Sequence, residues 1–247
     1  MIQVLQKDFH SYVQDLPPDF TNLYLFDWPY EIGYKNDKNY DDSPGQIDYN
    51  LLFSECSRTL TLSGNFIFFA GWTNVFKILG TLKLYPIWEI RDWIIWDRVK
   101  GSGAYNSPRL ISTREDIIVL GKKGKKPTFH KLESNTKKVT GGQGAKNGRK
   151  NRILSNVWSD ISPLMYTTKE WQAGRGSDGK GYKGQKPVEL IKRLIDIYSN
   201  PGDLVIDGFC GSGSTAVAAQ KAGRECICTD IKPEAIQITK KRIKLGV

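Results

Sequence analysis

Apolar and polar positions along this chain follow two periods, and each change of period marks an element. The C-terminal quarter shows this most clearly. KPVELIKRLIDIYS, from Lys186 to Ser199, spaces its apolar residues at helical intervals and carries Pro187 near its start, where proline is tolerated. NPGD predicts a type II turn, and LVID (Leu204 to Asp207) a short β-branched strand. GFCGSGST is a Gly-rich loop, and TAVAAQKA an Ala-rich helix closed by Gly223. ECICTD (Glu225 to Asp230) predicts a second strand, and KPEAIQITKKRIKL a last helix with Pro233 in its first turn. Strand, helix, strand, helix implies a parallel sheet with crossovers. The N-terminal half repeats the theme: LYLF, a polar loop, a helix from Ile47 to Leu60, then the strands GNFIFFAG, DWIIW and DIIVLG. From about Lys122 to Lys183 the periodicity is lost among Gly, Lys, Ser and Asn, as expected of an insertion on a compact α/β body. No internal repeat is visible.

Composition changes the picture in one place. The 247 residues are enough for one domain with a substantial core. The formal charge of +10 is concentrated between Gly121 and Arg152, where eleven Lys or Arg face one acid, Glu133. The remainder balances. A diffuse surplus would serve solubility, whereas a concentrated, Gly-rich one suits a phosphate backbone. Lys7 and Asp8 interrupt the N-terminus before a signal peptide can form. Apolar runs such as FIFFAGW are far shorter than the ~20 residues that span a bilayer. Cys56, Cys210, Cys226 and Cys228 form no disulfide framework and no pair-of-pairs metal spacing, so free thiols in a reducing cytoplasm are expected. With only His10 and His130, a His-based metal site or a Ser-His-Asp triad has little to draw on.

Two stretches carry candidate chemistry. In NLYLFDWPYEIGY a core strand ends on Asp27, followed by Trp28, Pro29 and Tyr30, a proline between two aromatic rings. This is either a capped strand-to-loop turn or an acid working beside a flat wall. DGFCGSGSTA follows a strand and opens a helix, where glycines let a ligand approach the backbone and free N–H groups face it. Asp230 ends the next strand, where an acid can accept from ribose hydroxyls. Gly211 to Ala216 also matches the dinucleotide pattern G-x-G-x-x-A. A dinucleotide needs a second mononucleotide half, however, and little chain follows Asp230. A tight strand-to-helix turn is the structural alternative.

DWPY, KPVELIKRLI and NPGDLVIDGFCGSGSTAVAAQKAGRECICTDIKPE together resemble the DNA amino-methyltransferases, which methylate adenine N6 or cytosine N4 from S-adenosyl-L-methionine. Supporting stretches are LLFSECSRTLTLSGNFIFF, DWIIWDRVKGSGAYN, STREDIIVLGK and NVWSDISP. Catalytic tetrapeptide first and cofactor loop last resembles the permuted β group. The resemblance implies a circularly permuted, Rossmann-like α/β fold, a mostly parallel sheet with helices on both faces. It divides the chain into a catalytic half (1–121), a basic target-recognition insertion (122–183) and a cofactor-binding half (184–247).

By this resemblance Asp207, Phe209, Gly211 and Gly213, with Cys210 and Ser212 between them, line the methionine part of the cofactor. Asp230 holds its ribose, Lys186 and Pro187 lie at the methionine end, and Asp8 in QKDF lies near the adenine. Cys210 is a small loop residue rather than a nucleophile. Asp27 and the carbonyl of Trp28 accept the two hydrogens of an exocyclic amine, and Tyr30 stacks on a base flipped from the duplex. Trp28 stands where the family usually has proline. Asp as the first letter favours adenine N6, with cytosine N4 or a binding subunit of decayed catalysis as alternatives. Double-stranded DNA is the implied partner, with a homodimer and a cognate restriction enzyme as further expectations. A cytoplasmic location with no membrane contact completes them.

Overall fold

The computed structural model describes residues 1–31, 33, 43–102, 110, 112–137, 151–176, 179 and 184–247. The centre of the basic segment (138–150) and the expected insertion boundary at Lys183 lie outside the described residues. One eight-stranded sheet organises the chain, in the order β1 (Ile2–Gln6), β10 (Glu225–Asp230), β9 (Leu204–Asp207), β2 (Thr21–Phe26), β3 (Leu60–Ala70), β5 (Ser112–Lys122), β4 (Trp88–Ser102), β8 (Val157–Trp158). The run from β1 to β3 is parallel, β5 is antiparallel to both β3 and β4, and β8 returns parallel to β4. β6 (Glu133–Lys137) and β7 (Asn151–Ile153) form a separate antiparallel pair.

Burial on both faces explains why the central strands read as unbroken apolar runs. The pleat sends successive residues of β2 to opposite sides. Leu23 and Leu25 enter an aliphatic core with α5 (Val188–Tyr198) and α6 (Ser214–Lys221). Tyr24 and Phe26 enter an aromatic core beneath α1 (Phe9–Gln14), α2 (Tyr49–Thr59) and α3 (Val75–Leu82). α7 (Pro233–Leu245) starts on its proline and packs against α6, β1 and β10, while α4 (Lys169–Ala173) touches α7.

Outside the segment expected as an insertion, three elements were not visible in the pattern. β1 is an edge strand of mixed burial, α1 is under two turns long, and α3 follows a strand with no polar break long enough to mark it. The segment expected as an insertion also differs from expectation. Trp158 is 2 % exposed and Ile161 accepts the Trp96 indole N–H at 2.8 Å, so residues 157–161 belong to the main sheet and its core. A two-residue strand is too short for its period to show.

From β9 the sheet extends through β10 to β1, and from β2 through β3 to β5 on the other side. Between β9 and β2 the winding reverses, and a crevice opens beyond the carboxyl ends of both strands. Asp207 and Asp27 stand there, brought together from opposite ends of the sequence.

Candidate active site

The Gly-rich loop is built by close approach. At Gly208 a Cβ would lie 2.3 Å from the Phe9 ring, so no larger residue fits between β9 and α1. Gly213 starts α6 at φ +81°, where a Cβ would also strike Thr239 at 2.6 Å. The carboxylate of Asp207 accepts the Phe209 N–H at 3.0 Å, and that of Asp230 accepts the N–H groups of Gly211 and Lys232, each at 2.9 Å. Arg242 of α7 is fully buried behind the loop. Its guanidinium donates to the Ser212 carbonyl (2.9 Å) and to the hydroxyls of Ser212 (3.1 Å) and Ser214 (3.2 Å), and pairs with Glu170 at 3.3 Å. Burial raises the Asp207 carboxyl to about 7, with the charges of Asp27 and Asp230 adding to the rise.

Asp27 directly follows β2 at the same crevice. Lys186 donates to both of its oxygens at 2.8 Å and stands 3.2 Å from Glu115 of β5. The Tyr30 hydroxyl joins both acids, at 3.1 Å from Glu115 and 3.4 Å from Asp27. Arg98 pairs with the other oxygen of Glu115 at 3.3 Å. Burial raises the Asp27 carboxyl above its ordinary value although Lys186 opposes the rise. Burial works against charge on Lys186 too, but Asp27 and Glu115 outweigh it and hold the ammonium above its usual range. A carboxylate offers about four acceptor positions. Among the described residues, two contacts from Lys186 and one from Tyr30 leave Asp27 one acceptor position open toward the crevice.

Trp28 does not present its ring as a wall. It is 1 % exposed and packs between Tyr49 (5.2 Å) and Phe68 (4.8 Å), with its indole N–H buried and without a hydrogen-bond partner among the described residues. Only its backbone is free to serve chemistry. Tyr30 keeps the open position, and Asn74 holds its carbonyl from the far side at 3.1 Å.

A cavity of about 510 Å³ joins the two halves, within the range of small-molecule sites. Asp8, Asp27, Trp28, Pro29, Tyr30, Lys186, Asp207, Phe209, Cys210, Gly211, Ser212 and Asp230 all line it. Pro187 and Gly213 do not; one caps α5 and the other turns the chain into α6. Asp8 caps α1 through the N–H groups of His10 and Ser11. The Cys226 and Cys228 sulfurs lie 3.4 Å apart on one face of β10. A hydrogen bond to Cys228, with burial, pushes the Cys210 thiol well up. Against the opposing bond to Cys210, the Cys226 hydrogen bond and burial push up that of Cys228, so neither is poised as a nucleophile. Sequence reasoning missed Glu115, Glu31, His10 and Arg242. The residue types of STREDIIVLGK and KKRIK look like ordinary surface charge until the fold buries them.

Lining carboxylates of Asp8, Asp27, Glu115, Asp207 and Asp230 outnumber the lysines, Lys186 and Lys232. A low-dielectric, acidic cavity of this size fits a small cation bearing hydroxyls and an amine, which describes S-adenosylmethionine. No helix among the described residues is long and apolar enough to cross a membrane.

A family model described as DNA methylase matches residues 21–241. The chain is 28 % identical over 255 residues to the DNA adenine methyltransferase YhdJ of Escherichia coli (strain K12), covering 98 % of this chain and 83 % of that protein. It is 29 % identical to the type II methyltransferase M.HpaI of Haemophilus parainfluenzae, over 94 % and 70 % of the two chains. Among solved structures, the M1.HpyAVI–SAM complex aligns at a TM-score of 0.64 with 22 % identity, covering 98 % of this chain and all of that one. The cytosine-N4-specific PvuII DNA methyltransferase aligns at 0.70 with 16 % identity, over 98 % and 86 %. The permuted α/β order and the acidic crevice between Asp27 and Asp230 agree with these matches, and the chain belongs to the S-adenosylmethionine-dependent DNA amino-methyltransferases, which act on adenine N6 or cytosine N4.

Proposed function

We propose that this protein methylates the N6 amine of adenine within a specific sequence of double-stranded DNA, after the base has been flipped out of the duplex. The single observation that carries the reading is the placement of Asp27 beside Asp207 and Phe209, across one cavity, at the reversal of the sheet. S-adenosylmethionine, when bound, supplies a methyl group activated by a sulfonium. An exocyclic amine is a poor nucleophile because its lone pair is delocalised into the ring. The task of the chain is therefore to fix that amine in a tetrahedral form.

Asp27 accepts one amino hydrogen at its remaining position and takes the proton that the nitrogen sheds once it carries the methyl. The Trp28 carbonyl accepts the other hydrogen, and Pro29 holds Trp28 in an extended conformation. Hydrogen bonds to charged groups are worth roughly 1.5–3 kcal/mol, and this one strengthens as positive charge grows on nitrogen. Tyr30 offers a ring for the extrahelical base, where stacking recovers about 1–3 kcal/mol of the few that flipping requires. Asp207, Phe209 and Gly211 to Gly213 take the methionine part of the cofactor, Asp230 its ribose and Asp8 its adenine side. Lys186 belongs to Asp27 and Glu115 more than to the cofactor, because its ammonium already contacts both acids. Adenine is favoured by Asp as the first letter of the tetrapeptide and by the adenine specificity in the name of the Escherichia coli relative. The basic segment between Gly121 and Arg152 supplies phosphate contacts and target recognition.

Nucleoside mass spectrometry of unmethylated DNA incubated with the protein and S-adenosylmethionine tests this directly. N6-methyladenine is the expected product. N4-methylcytosine would keep the amine mechanism and overturn the choice of base.

A further inference from the structure

Glu31 follows the tetrapeptide directly, at φ +56°, a left-handed conformation that an L side chain adopts only where its surroundings require it. Its side chain is 3 % exposed. One oxygen accepts the N–H groups of Gly45 (2.7 Å) and Ile47 (3.4 Å), and the other accepts the Tyr49 hydroxyl (3.2 Å) and the Lys77 ammonium (2.6 Å). A buried carboxylate with four donors is a fixed post rather than a surface charge.

What it holds is part of the cavity. Gln46 and Ile47 lie in the wall. The next residue, Asp48, donates its N–H to Nε2 of His10 at 3.1 Å, and Nδ1 of His10 faces the Asp8 carboxylate at 3.0 Å. For Nε2 to accept, the neutral ring carries its proton on Nδ1 and donates it to Asp8. Contacts therefore run without a break from Tyr30, through Glu31 and residues 45–48, to His10 and Asp8. The Asn74 side chain secures the Tyr30 end, donating to the Tyr30 carbonyl and accepting the Gly71 N–H at 2.9 Å.

We propose that Glu31 is a positioning residue that couples the two ends of the cavity, setting the wall at Gln46 and Ile47 and, through Asp48 and His10, the carboxylate of Asp8, so that cofactor and target DNA strengthen each other's binding. This rests on the reading of the cavity as an amino-methyltransferase site. Coupling between two ligands is reciprocal, and amounts to about 5–150-fold where a fold provides it.

The test measures that factor without turnover. A duplex containing the mapped methylation site is titrated by fluorescence anisotropy with and without saturating S-adenosylhomocysteine. In the wild-type protein the added compound is expected to tighten DNA binding at least about fivefold. Glu31→Gln sets an amide NH₂ against donors that now face an oxygen, and its factor is expected to fall near one. His10→Ala breaks the next link and should do the same, so the test survives if Glu31→Gln fails to fold. Lys77→Met removes only the exposed half of the ion pair and should keep the factor. Variants that weaken both ligands with the factor intact would overturn the proposal, leaving Glu31 a structural residue. A wild-type factor near one would overturn it too. Failure of the wild-type protein to bind S-adenosylhomocysteine would instead overturn the reading of the cavity itself.

Discussion

Replacing Lys186 by methionine removes an ammonium from between two carboxylates while keeping the length of the side chain. That ammonium sits 2.8 Å from both Asp27 oxygens and 3.2 Å from Glu115, on a side chain 7 % exposed. Deleting one member of a buried pair costs about 3–5 kcal/mol, because the remaining charge stays buried. In a chain of this size each kcal/mol moves the unfolding midpoint by about 2–4 °C, so a loss of roughly 6–20 °C is expected at neutral pH. The loss has a definite pH dependence. Burial already lifts the Asp27 carboxyl above its ordinary 3.8, and Lys186 is the main restraint on that lift. Without it the folded value rises further. A carboxyl that binds its proton more tightly in the folded chain contributes stability that is complete below the unfolded value and lost as pH rises through the folded one. The gap between variant and wild type should therefore narrow toward acid pH. Thermal unfolding at steps between pH 5 and pH 8 measures it. Single-turnover methyl transfer over the same range should show an acid limb displaced to higher pH, since Asp27 must be ionised to accept the amine. A deficit independent of pH, together with an unmoved acid limb, would refute the ion-pair reasoning.

Asp27→Ala is expected to reduce transfer by more than about a thousandfold, the scale of deleting an oxyanion-type acceptor. Its calorimetric affinity for S-adenosylhomocysteine should change little, and retained turnover would remove Asp27 from the chemistry. Asp230→Ala should weaken cofactor binding about tenfold or more while DNA affinity in the absence of cofactor stays put, since a charge-assisted hydrogen bond of about 1.5–3 kcal/mol is lost. Equal cofactor affinities would exclude it. The Asp207 carboxyl, raised by burial to about 7, contributes stability that is complete below about 3.8 and lost as pH climbs to about 7. A shift of about three units corresponds to roughly 4 kcal/mol. Asp207→Asn should accordingly flatten the fall in unfolding midpoint between pH 5 and pH 8, and an unchanged slope would assign that fall to other groups.

How much of this was legible beforehand depended on where each residue's information resides. Asp27, Asp207 and Asp230, which line one cavity, stand out in the sequence because each ends or directly follows a strand whose apolar run is unmistakable, and an acid there needs a reason. The Gly-rich loop was found because glycine spacing is a local property. Lys186 was placed at the methionine end of the cofactor by resemblance, and its ammonium also reaches Asp27 and Glu115, the first through a contact between residues 159 positions apart. Glu115 precedes a buried run in β5 and reads as the polar start of a strand. Arg242 reads as one more cation in a basic amphipathic helix, although it is the one that turns inward. Trp28 was expected to act through its carbonyl, but the sequence did not show that the aromatic core takes up its ring. β8 escaped because two residues carry no period, and its place depends wholly on the partner strand β4.

The reversal between β9 and β2 also has a consequence for how the molecule is made. The two central strands meet through contacts such as the Leu204 N–H with the Asn22 side chain, 182 positions apart. Until the last quarter of the chain leaves the ribosome, β2 has one edge without a partner, and Leu23 and Leu25 lack the helices that cover them. Such an apolar strand edge is a template for association with other chains, and closing so long a loop is slow. Synthesis from the N-terminus therefore leaves β2 and β3 waiting, unfinished, for β9 and β10. The crevice that joins Asp27 to Asp207 needs strands from both ends of the chain, so neither end alone can form it.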